Sequence, residues 1–411
     1  MKLNSFIELF QKQAICYQEK VFIHYETTMS SKPNTLTFGQ FDDITTFLAH
    51  QWSSQLKGVH CVGILSDDSL QSLLAMLAIL KLGRVFFPIS TGNSEAVITQ
   101  LLLNTRTTYL LASEEYEELA RICASRVSGH VKIWKCSDVD QLPTLVRNKS
   151  KKVYFNSQRE SKLSDIVLIY QSSGTTGLPK PIQLTNHWVI LQIENAIVNG
   201  NGAYEPFTGP EDTLLSTTAA FHVFGFVMYW SSLIFGSSTF LFRQRPPLLG
   251  QEILSVAVKY NATTMATSPV YLENIAKYLQ CNNDNENSVA ILKQFKYCIY
   301  GGAPLSLQIG NFLHSKGLNV ACRYGTTGDD KLVQVVFEHF ALTIHCRSGS
   351  HSFCQFHAWQ SLLAYSEATR RTFKLLSLGI LRGWIISSYD SWQLSPAMPW
   401  RCFWCWHVLW N

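Results

Sequence analysis

The sequence has few charged residues and no cluster of one sign. Charged side chains make up 15% of the 411 residues, and the 34 basic and 29 acidic ones are interspersed along the chain, for a formal net charge of +5. Nucleic-acid-binding proteins usually concentrate positive charge on one arm or stripe. We therefore expect no nucleic-acid partner.

A secretory leader and a regular cysteine framework are also lacking. The first residues, MKLNSFIELFQKQ, include charged and amide side chains where a leader has an unbroken apolar stretch. The eleven cysteines are scattered along the chain. Both features are typical of a protein from a reducing compartment, and we expect a cytoplasmic location.

One long segment lacks charge altogether. Between Thr213 and Phe242 there is no Lys, Arg, Asp or Glu, and the segment is long enough to span a bilayer. It is nevertheless rich in Ser, Thr and Gly, contains His222 and has no flanking basic clusters of the kind that orient a membrane helix. We therefore expect a buried helix and strand rather than a membrane span.

Apolar residues are abundant and periodic. At 46% of the chain they suffice for a large core, and 411 residues predict two or three domains. Short apolar strands alternate with helical stretches, which predicts an α/β fold of layered parallel sheets with helices on both faces. The predicted strands cover residues 21–26, 61–66, 85–90, 108–113, 165–171, 263–268, 297–302 and 318–325, and the predicted helices 38–56, 70–82, 96–103, 270–279 and 305–315.

Two changes in composition indicate boundaries. Residues 142–164 are polar and predict an internal boundary within a core of residues 1–328, with a second layer beginning at the strand 165–171. Residues 329–411 hold seven of the eleven tryptophans and follow neither helical nor strand periodicity. We expect no recognisable fold in this last segment, as in a frameshifted translation.

The last segment also contains histidines and cysteines at spacings that invite a zinc site. Its Trp-rich surroundings and the lack of a matching framework argue against one, so we expect no metal there. The residues concerned are His345, Cys346, His351, Cys354, His357, Cys402, Cys405 and His407.

The strongest chemical signal is YQSSGTTGLPKPIQLTN, residues 170–186, in which a strand and a Ser/Thr/Gly loop precede a lysine and an expected helix. Gly174 and Gly177 allow the backbone to turn tightly and approach a ligand, and Lys180 supplies positive charge. We expect this loop to bind phosphate. The hydroxyls that can donate to phosphate oxygens are those of Ser172, Ser173, Thr175 and Thr176.

The spacing differs from that of a P-loop. There Gly-Lys-Ser/Thr is contiguous, whereas Leu178 and Pro179 here separate glycine from lysine, which disfavours a kinase or GTPase. The alternative is a polar surface loop without a ligand. So many donors around two glycines and a lysine are seldom assembled by chance, which favours the ligand site.

The segment SSGTTGLPK resembles the signature loop of the AMP-binding superfamily of acyl- and aryl-CoA synthetases, luciferases and nonribosomal-peptide adenylation domains, which activate carboxylic acids as acyl-adenylates. Other landmarks follow in order, FHVFG at Phe221–Gly225, GGAPLS at Gly301–Ser306 and YGTT at Tyr324–Thr327. Pro181 makes the chain most similar to fungal-type adenylate-forming reductases. The resemblance covers residues 5–327 and implies the large N-terminal domain of these enzymes, without their small C-terminal lid domain.

The resemblance implies roles for individual residues. The loop Ser172–Lys180 would hold the β- and γ-phosphates of ATP while the acid attacks the α-phosphorus, with Lys180, His222 and Thr327 as the catalytic residues. The activated small carboxylic or amino acid would pass to coenzyme A or a carrier-protein thiol. Nucleotide contacts would come from Ser172, Ser173, Gly174, Thr175, Thr176 and Gly177 around the phosphates, and from Gly301, Gly302, Ala303, Pro304 and Tyr324 around the adenine.

Two of these assignments have a purely structural alternative. His222 lies in an apolar stretch and could be a hydrogen-bonded core histidine. GGAP could be an ordinary turn between a strand and a helix, because turns require Gly and Pro. For His222 the flanking motifs favour the site.

The sequence departs from the family pattern after YGTT. The family's YGxTE glutamate, which helps to hold Mg²⁺, is replaced by Gly328, so that the metal would be held by phosphate and water. A later TGD motif and a lysine-bearing C-terminal segment are missing from the sequence. We expect slow or absent adenylation. The alternative is a non-catalytic, pseudoenzyme-like module with residual nucleotide binding, and the sequence leaves open whether this chain is an enzyme.

Overall fold

The computed structural model describes residues 5–27, 30–127, 131–137, 139–147, 161–172, 178–194, 197–200, 203–242, 248–282, 286–323, 334–338 and 341–345. Within these ranges the chain forms one six-stranded sheet, one seven-stranded sheet and two two-stranded hairpins. Helices lie between and around the sheets, as the sequence predicts for an α/β fold.

Strands and helices alternate along much of the chain. The strands are β1 (Val21–Thr27), β2 (Ser30–Thr37), β3 (Cys61–Leu65), β4 (Val85–Pro88), β5 (Tyr109–Ala112), β6 (Lys132–Lys135), β7 (Ile166–Ser172), β8 (Lys180–Thr185), β9 (Ile197–Gly200), β10 (Ala203–Pro206), β11 (Thr213–Ser216), β12 (Ser238–Leu241), β13 (Thr264–Thr267), β14 (Tyr297–Gly301), β15 (Val320–Arg323), β16 (Gln334–Glu338) and β17 (Ala341–His345). The helices are α1 (Phe6–Cys16), α2 (Phe38–Trp52), α3 (Ser69–Lys81), α4 (Glu95–Thr105), α5 (Glu117–Ser125), α6 (Leu142–Arg147), α7 (Asn186–Glu194), α8 (Val223–Phe235), α9 (Gly250–Lys259), α10 (Pro269–Cys281), α11 (Glu286–Lys293) and α12 (Leu307–Ser315).

The first sheet has the order β6-β5-β3-β4-β7-β8, and the second has the order β15-β14-β13-β11-β12-β1-β2. Each is parallel except for one edge strand, since β8 runs antiparallel to β7 and β2 antiparallel to β1. The parallel prediction therefore holds for the interior strands and is wrong at these two edges. Antiparallel edge strands on a parallel sheet are common in large α/β folds.

The order of strands in space differs from their order along the chain. We expected a second layer to begin at residue 165, but β7 pairs with β4 and belongs to the first sheet. Conversely, β1 pairs with β12 and joins the second sheet. Lys180 begins a strand, β8, which lies between the Gly/Thr-rich loop and helix α7 where the sequence predicts only a helix.

Capping residues determine where several helices begin. Asp68 follows β3, and its carboxylate accepts from the backbone N–H of Gln71 at the start of α3. Ser306 follows β14 and caps α12 in the same way through Ile309. Side-chain acceptors at this position satisfy backbone donors that have no partner in the helix, which stabilises a helix by about 1 kcal/mol.

The uncharged segment 213–242 forms β11, α8 and β12, which confirms the expected buried helix and strand. Residues Gly225 to Leu233 of α8 are all buried, and Trp230 packs edge-on against Phe6 of α1 at 5.0 Å between ring centroids. In the part of the chain that the structure describes, no helix is both long and apolar enough to cross a membrane.

One buried cation ties α3 to α2. The Lys81 ammonium lies 2.5 Å from a carboxylate oxygen of Asp42 and also donates to the hydroxyls of Thr45 and Thr46, at 2.8 and 2.7 Å. Burial lowers the pKa of Lys81, and the Asp42 carboxylate opposes that shift. A buried charge is tolerated when its hydrogen bonds are satisfied in this way.

Candidate functional site

Two of the motifs follow the carboxyl ends of parallel strands, the Gly/Thr-rich loop after β7 and the GGAP turn at the end of β14. In the first sheet β7 ends at Ser172, and the antiparallel β8 begins at Lys180, which is the register partner of Ser172. The Gly/Thr-rich loop therefore starts and finishes at neighbouring points on one edge of the sheet. Ligands of open α/β sheets bind outside the carboxyl ends of the strands.

The strand residues at the two ends of the loop differ in exposure. Lys180 is exposed, whereas Ser172 is half-buried. Gln171, one residue before Ser172, accepts a hydrogen bond from Asn93 in the segment after β4 at 2.8 Å. The predicted phosphate-binding residues Ser173, Gly174, Thr175, Thr176 and Gly177 lie outside the described residues.

In the second sheet β14 and β15 run parallel, with Gly301 as the register partner of Arg323. A Cβ atom on Gly301 would lie 2.9 Å from the carbonyl oxygen of Arg323 and 3.4 Å from the ring of Phe224, so a side chain there is disfavoured. GGAP is a turn between β14 and α12, and Gly302, Ala303 and Pro304 are exposed at the sheet edge. Backbone groups of this turn are thus accessible to a ligand.

His222 occupies the N-cap position of α8 without making a capping hydrogen bond. Its side chain is exposed, so it is not a core histidine, and its ring lies 4.6 Å from that of Phe221. Surrounding protein atoms nevertheless lower the pKa of His222 through desolvation. The imidazole is therefore mostly neutral at pH 7, and it can accept or donate a hydrogen bond at the surface of the site.

Close backbone packing requires glycine at the last position of FHVFG. A Cβ atom on Gly225 would lie 2.3 Å from the carbonyl oxygen of Ala219, far closer than any real contact. The segment before His222 thus folds back onto the first turn of α8. Only glycine permits this approach, which places His222 where the helix begins.

Hydroxyl groups hold the segment between β11 and α8. Ser216 and Thr218 share a hydrogen bond of 2.8 Å between their hydroxyls, and Thr217 shares one of the same length with Thr267 at the end of β13. The hydroxyl of Tyr229 on α8 donates to the carbonyl oxygen of Thr218. These bonds connect the segment to both a neighbouring strand and its own helix.

The two sheets meet at Tyr170. This residue lies on β7, and its hydroxyl donates to the carbonyl oxygen of Ala220 at 2.9 Å. Burial raises the pKa of Tyr170 well above 10, so the hydroxyl keeps its proton and remains a donor. The strand that leads into the Gly/Thr-rich loop is thereby bonded to the segment that leads into His222.

Two residues at this site are not predicted from the sequence. Tyr170 belongs to the loop motif without a predicted role, although a hydroxyl in a buried strand position requires a partner. Arg323 belongs to no motif, although it is a charged residue at the end of the otherwise uncharged strand β15. Tyr324, Thr327 and Gly328 follow it directly and lie outside the described residues.

The described residues contain no group of three or more His, Cys, Asp or Glu side chains placed to hold a metal ion. The side chains of the candidate zinc residues from His345 to His407 are not among them. For a phosphate-bearing ligand the described parts are well matched. They combine a lysine, a loop closed at a sheet edge and a glycine turn at the neighbouring sheet.

Comparison with known proteins identifies the family. The family model described as AMP-binding enzyme matches residues 10–328. An adenylate-forming reductase from Aspergillus terreus is 24% identical over 353 residues, which cover 79% of this chain and 31% of that protein. The chain thus spans about a third of the length of that curated relative, and the matches to adenylate-forming reductases agree with the resemblance noted in the sequence.

Two solved structures show the same fold. The anthranilate CoA ligase AuaEII, in complex with anthranoyl-AMP, aligns with a TM-score of 0.67 at 17% identity, covering 82% of this chain and 62% of that one. A luciferase-like enzyme from the nonluminescent mealworm Zophobas morio aligns with a TM-score of 0.66 at 18% identity, covering 82% and 75%. With its motifs at the carboxyl edges of both sheets and a family match over most of its length, the chain belongs to the AMP-binding family of adenylate-forming enzymes.

Proposed function

We propose that this chain activates a small carboxylic or amino acid with ATP. A carboxylate oxygen of the acid attacks the α-phosphorus, a mixed acyl–phosphate anhydride forms, and pyrophosphate leaves with the electron pair of the broken P–O bond. The observation that supports this best is the Tyr170–Ala220 hydrogen bond, which joins the strand before the Gly/Thr-rich loop to the segment before His222. A phosphate site after β7 and an acid site beside His222 would thereby be held at one place.

The proposed role of each residue follows from its charge or its exposed backbone groups. Lys180, exposed beside the loop, would neutralise phosphate oxygens as pyrophosphate departs. His222 would lie beside the acid's carboxylate, where a neutral imidazole can orient the nucleophile by a hydrogen bond. The exposed turn Gly302–Pro304 would offer backbone groups to the adenine, with Tyr324 packing on the base and Thr327 near the α-phosphate.

ATP would be the co-substrate, and Mg²⁺ would be held by its phosphate oxygens and by water. Gly328 offers no carboxylate at the position where the family has glutamate. We therefore infer slow turnover. The second candidate function, nucleotide binding without catalysis, rests on the same residue.

The acceptor of the activated acid would be a thiol, either of coenzyme A or of a carrier protein. Its attack on the acyl carbonyl would release AMP. We also infer a cytoplasmic location, with a reducing environment, because every cysteine in the described ranges is a free thiol. The residues concerned are Cys16, Cys61, Cys123, Cys136, Cys281, Cys298 and Cys322.

The test is acid-dependent exchange of labelled pyrophosphate into ATP, measured on the full chain with a panel of aliphatic, aromatic and amino acids. Wild-type protein is expected to show weak exchange, Gly328→Glu stronger exchange, and Lys180→Ala none. If no acid supports exchange in either wild type or Gly328→Glu while ATP still binds, nucleotide binding without catalysis is the function. Exchange as fast in wild type as in Gly328→Glu would contradict the inference of slow turnover.

A further inference from the structure

Arg323 is a buried cation without a partner among the described residues. The residue is 6% exposed, and its two terminal nitrogens, Nη1 and Nη2, are buried and donate to no acceptor there. Burial lowers the pKa of Arg323 to about 10, which still leaves the guanidinium charged at pH 7. Buried arginines are almost always paired, because removing a charge from water without compensation is costly.

The contrast with Lys81 shows what a satisfied buried cation looks like in the same chain. Lys81 has Asp42, Thr45 and Thr46 around its ammonium. The ion pairs found among the described residues do not include Arg323. The acceptor for this guanidinium therefore comes from outside the described chain.

The direction of the Arg323 side chain follows from the strand register. Alternate residues of a strand share a face, so Arg323 points to the same side of the second sheet as Ala321. Ala321 belongs to the core cluster that contains Phe226 and Trp230 of α8. On the neighbouring strand, Gly301 faces the ring of Phe224. Arg323 thus lies on the α8 side of the sheet, the side on which His222 begins that helix.

Arg323 lies deeper in the protein than Lys180 and His222 do. Lys180 is exposed at the edge of the first sheet, and His222 is exposed at the start of α8. In the proposed function the reacting carboxylate must meet the α-phosphorus near these exposed groups. An anion that reaches the buried Arg323 is therefore a different group, at the far end of the acid.

We infer that Arg323 binds a second carboxylate of the acid substrate, so that the chain selects dicarboxylic acids. This inference rests on the proposed function. The planar guanidinium fork matches a carboxylate in a bidentate arrangement, which makes arginine the preferred partner for this group. The buried charge, which has no partner among the described residues, is the selective element, because a bound monocarboxylic acid would leave it unpaired.

The binding experiment uses thermal unfolding of the full chain with succinate, glutarate and adipate, each matched with butyrate, valerate and hexanoate. A dicarboxylate is expected to raise the Tm more than its matched monocarboxylate. Arg323→Met should abolish that difference, with affinity falling about 10- to 100-fold as expected for a lost hydrogen bond to a charged group. Arg323→Lys should retain part of it. Equal responses to the mono- and dicarboxylates in wild type would overturn the inference.

The ligand-free proteins provide a readout that is independent of activity. Replacing an unpaired buried charge with an apolar side chain of similar length should raise the Tm, whereas Lys81→Met, which breaks a satisfied buried pair, should lower it. A fall in Tm for Arg323→Met like that for Lys81→Met would show that the chain itself supplies the partner, and would overturn the inference.

Two further measurements distinguish a failure of the inference about Arg323 from a failure of the proposed function. The shift in Tm caused by ATP should be the same in wild type and Arg323→Met, and its loss in the variant would assign Arg323 to phosphate instead. If no acid supports pyrophosphate exchange, the proposed function fails, but selective stabilisation by a dicarboxylate would still place the anion at Arg323. Absence of both exchange and dicarboxylate binding overturns both proposals.

Discussion

The hydroxyl of Tyr170 donates to the carbonyl oxygen of Ala220 across 50 residues of sequence and between two sheets, at 2.9 Å. Both partners are buried, and the ring of Tyr170 also packs against Phe226 at 5.7 Å. This bond directly connects the strand that precedes the phosphate-loop motif to the segment that precedes His222. Its loss should therefore be measurable in the stability of the whole chain.

Tyr170→Phe keeps the ring packing and removes only the hydroxyl. We expect a loss of about 1–3 kcal/mol in the free energy of unfolding, because the buried carbonyl of Ala220 loses its donor. Urea unfolding measures this loss. Tyr109→Phe is the control, since the hydroxyl of that largely buried tyrosine has no hydrogen-bond partner within the described ranges, and the change should be close to neutral. Equal effects of the two variants would contradict a special role for Tyr170.

Gly225→Ala should destabilise the protein by about 1–3 kcal/mol through overpacking against Ala219. The direction of this change in stability is informative, because alanine normally stabilises a helix relative to glycine by about 1 kcal/mol. The added methyl would displace the segment before His222 and lower acid-dependent pyrophosphate exchange.

Gly92→Ala is the matched control for Gly225→Ala. A Cβ atom on Gly92 would meet only the hydroxyl oxygen of Ser90, at 3.7 Å, so we expect a change within about 0.5 kcal/mol. Urea unfolding of both variants provides the comparison. If Gly225→Ala stabilises the chain, the close approach to Ala219 is not a constraint in solution.

Lys180→Ala should weaken binding of ATP and of inorganic pyrophosphate about 10- to 100-fold, because a charge-assisted contact to phosphate is lost. The Tm without ligand should stay unchanged, since Lys180 is exposed. Isothermal titration calorimetry measures the affinity. Lys57→Ala removes another exposed lysine, between α2 and β3, and should leave ATP binding as in wild type. Equal losses of ATP affinity in Lys180→Ala and Lys57→Ala would indicate a general effect of charge.

Acidification should reveal the environment of His222. Desolvation lowers its folded-state pKa below 6.5, so below that pH the unfolded chain binds more protons than the folded one. The stabilisation from neutral His222 is complete above pH 6.5 and is lost as the pH falls through 6.5 toward the folded-state pKa. Wild-type protein should therefore lose more stability than His222→Gln between about pH 7.5 and pH 5.

Urea unfolding at several pH values measures that difference. His24, on β1, also has a pKa lowered by burial, so His24→Gln should reduce the same acid sensitivity by a separate contribution. Identical pH profiles for wild type and His222→Gln would mean that the imidazole is fully hydrated.

Much of the fold could be predicted from local pattern. The apolar runs at β3, β4 and β5 and the helices between them are where the sequence predicts them, because continuous apolar strands and capped helices are local signals. The strand β8 was not predicted. Pro181 argues against a strand interior, but β8 is an edge strand, and proline is tolerated there. Edge position depends on neighbours that sequence spacing does not reveal.

The site, like the fold, could be predicted only in part from the sequence. Residue types and their order indicated a phosphate loop at Ser172–Lys180 and a ligand-facing turn at Gly301–Pro304, and they identified the family. The partner of Tyr170 and the isolation of Arg323 could not be predicted. Both depend on which strands lie side by side and on which side chains are thereby removed from water.

The sequence by itself determined the local structure: the apolar periods of strands and helices, the glycines that permit tight turns and the hydroxyl-rich loop before Lys180. Only the tertiary structure decided that β7 belongs to the first sheet, that Ala220 lies within reach of Tyr170, and that the Arg323 guanidinium is buried without a partner among the described residues. The physical reason is the distance along the chain over which each effect acts. Propensity and periodicity act over a few residues, whereas burial, strand pairing and the environment of a charge depend on contacts between segments far apart in the chain.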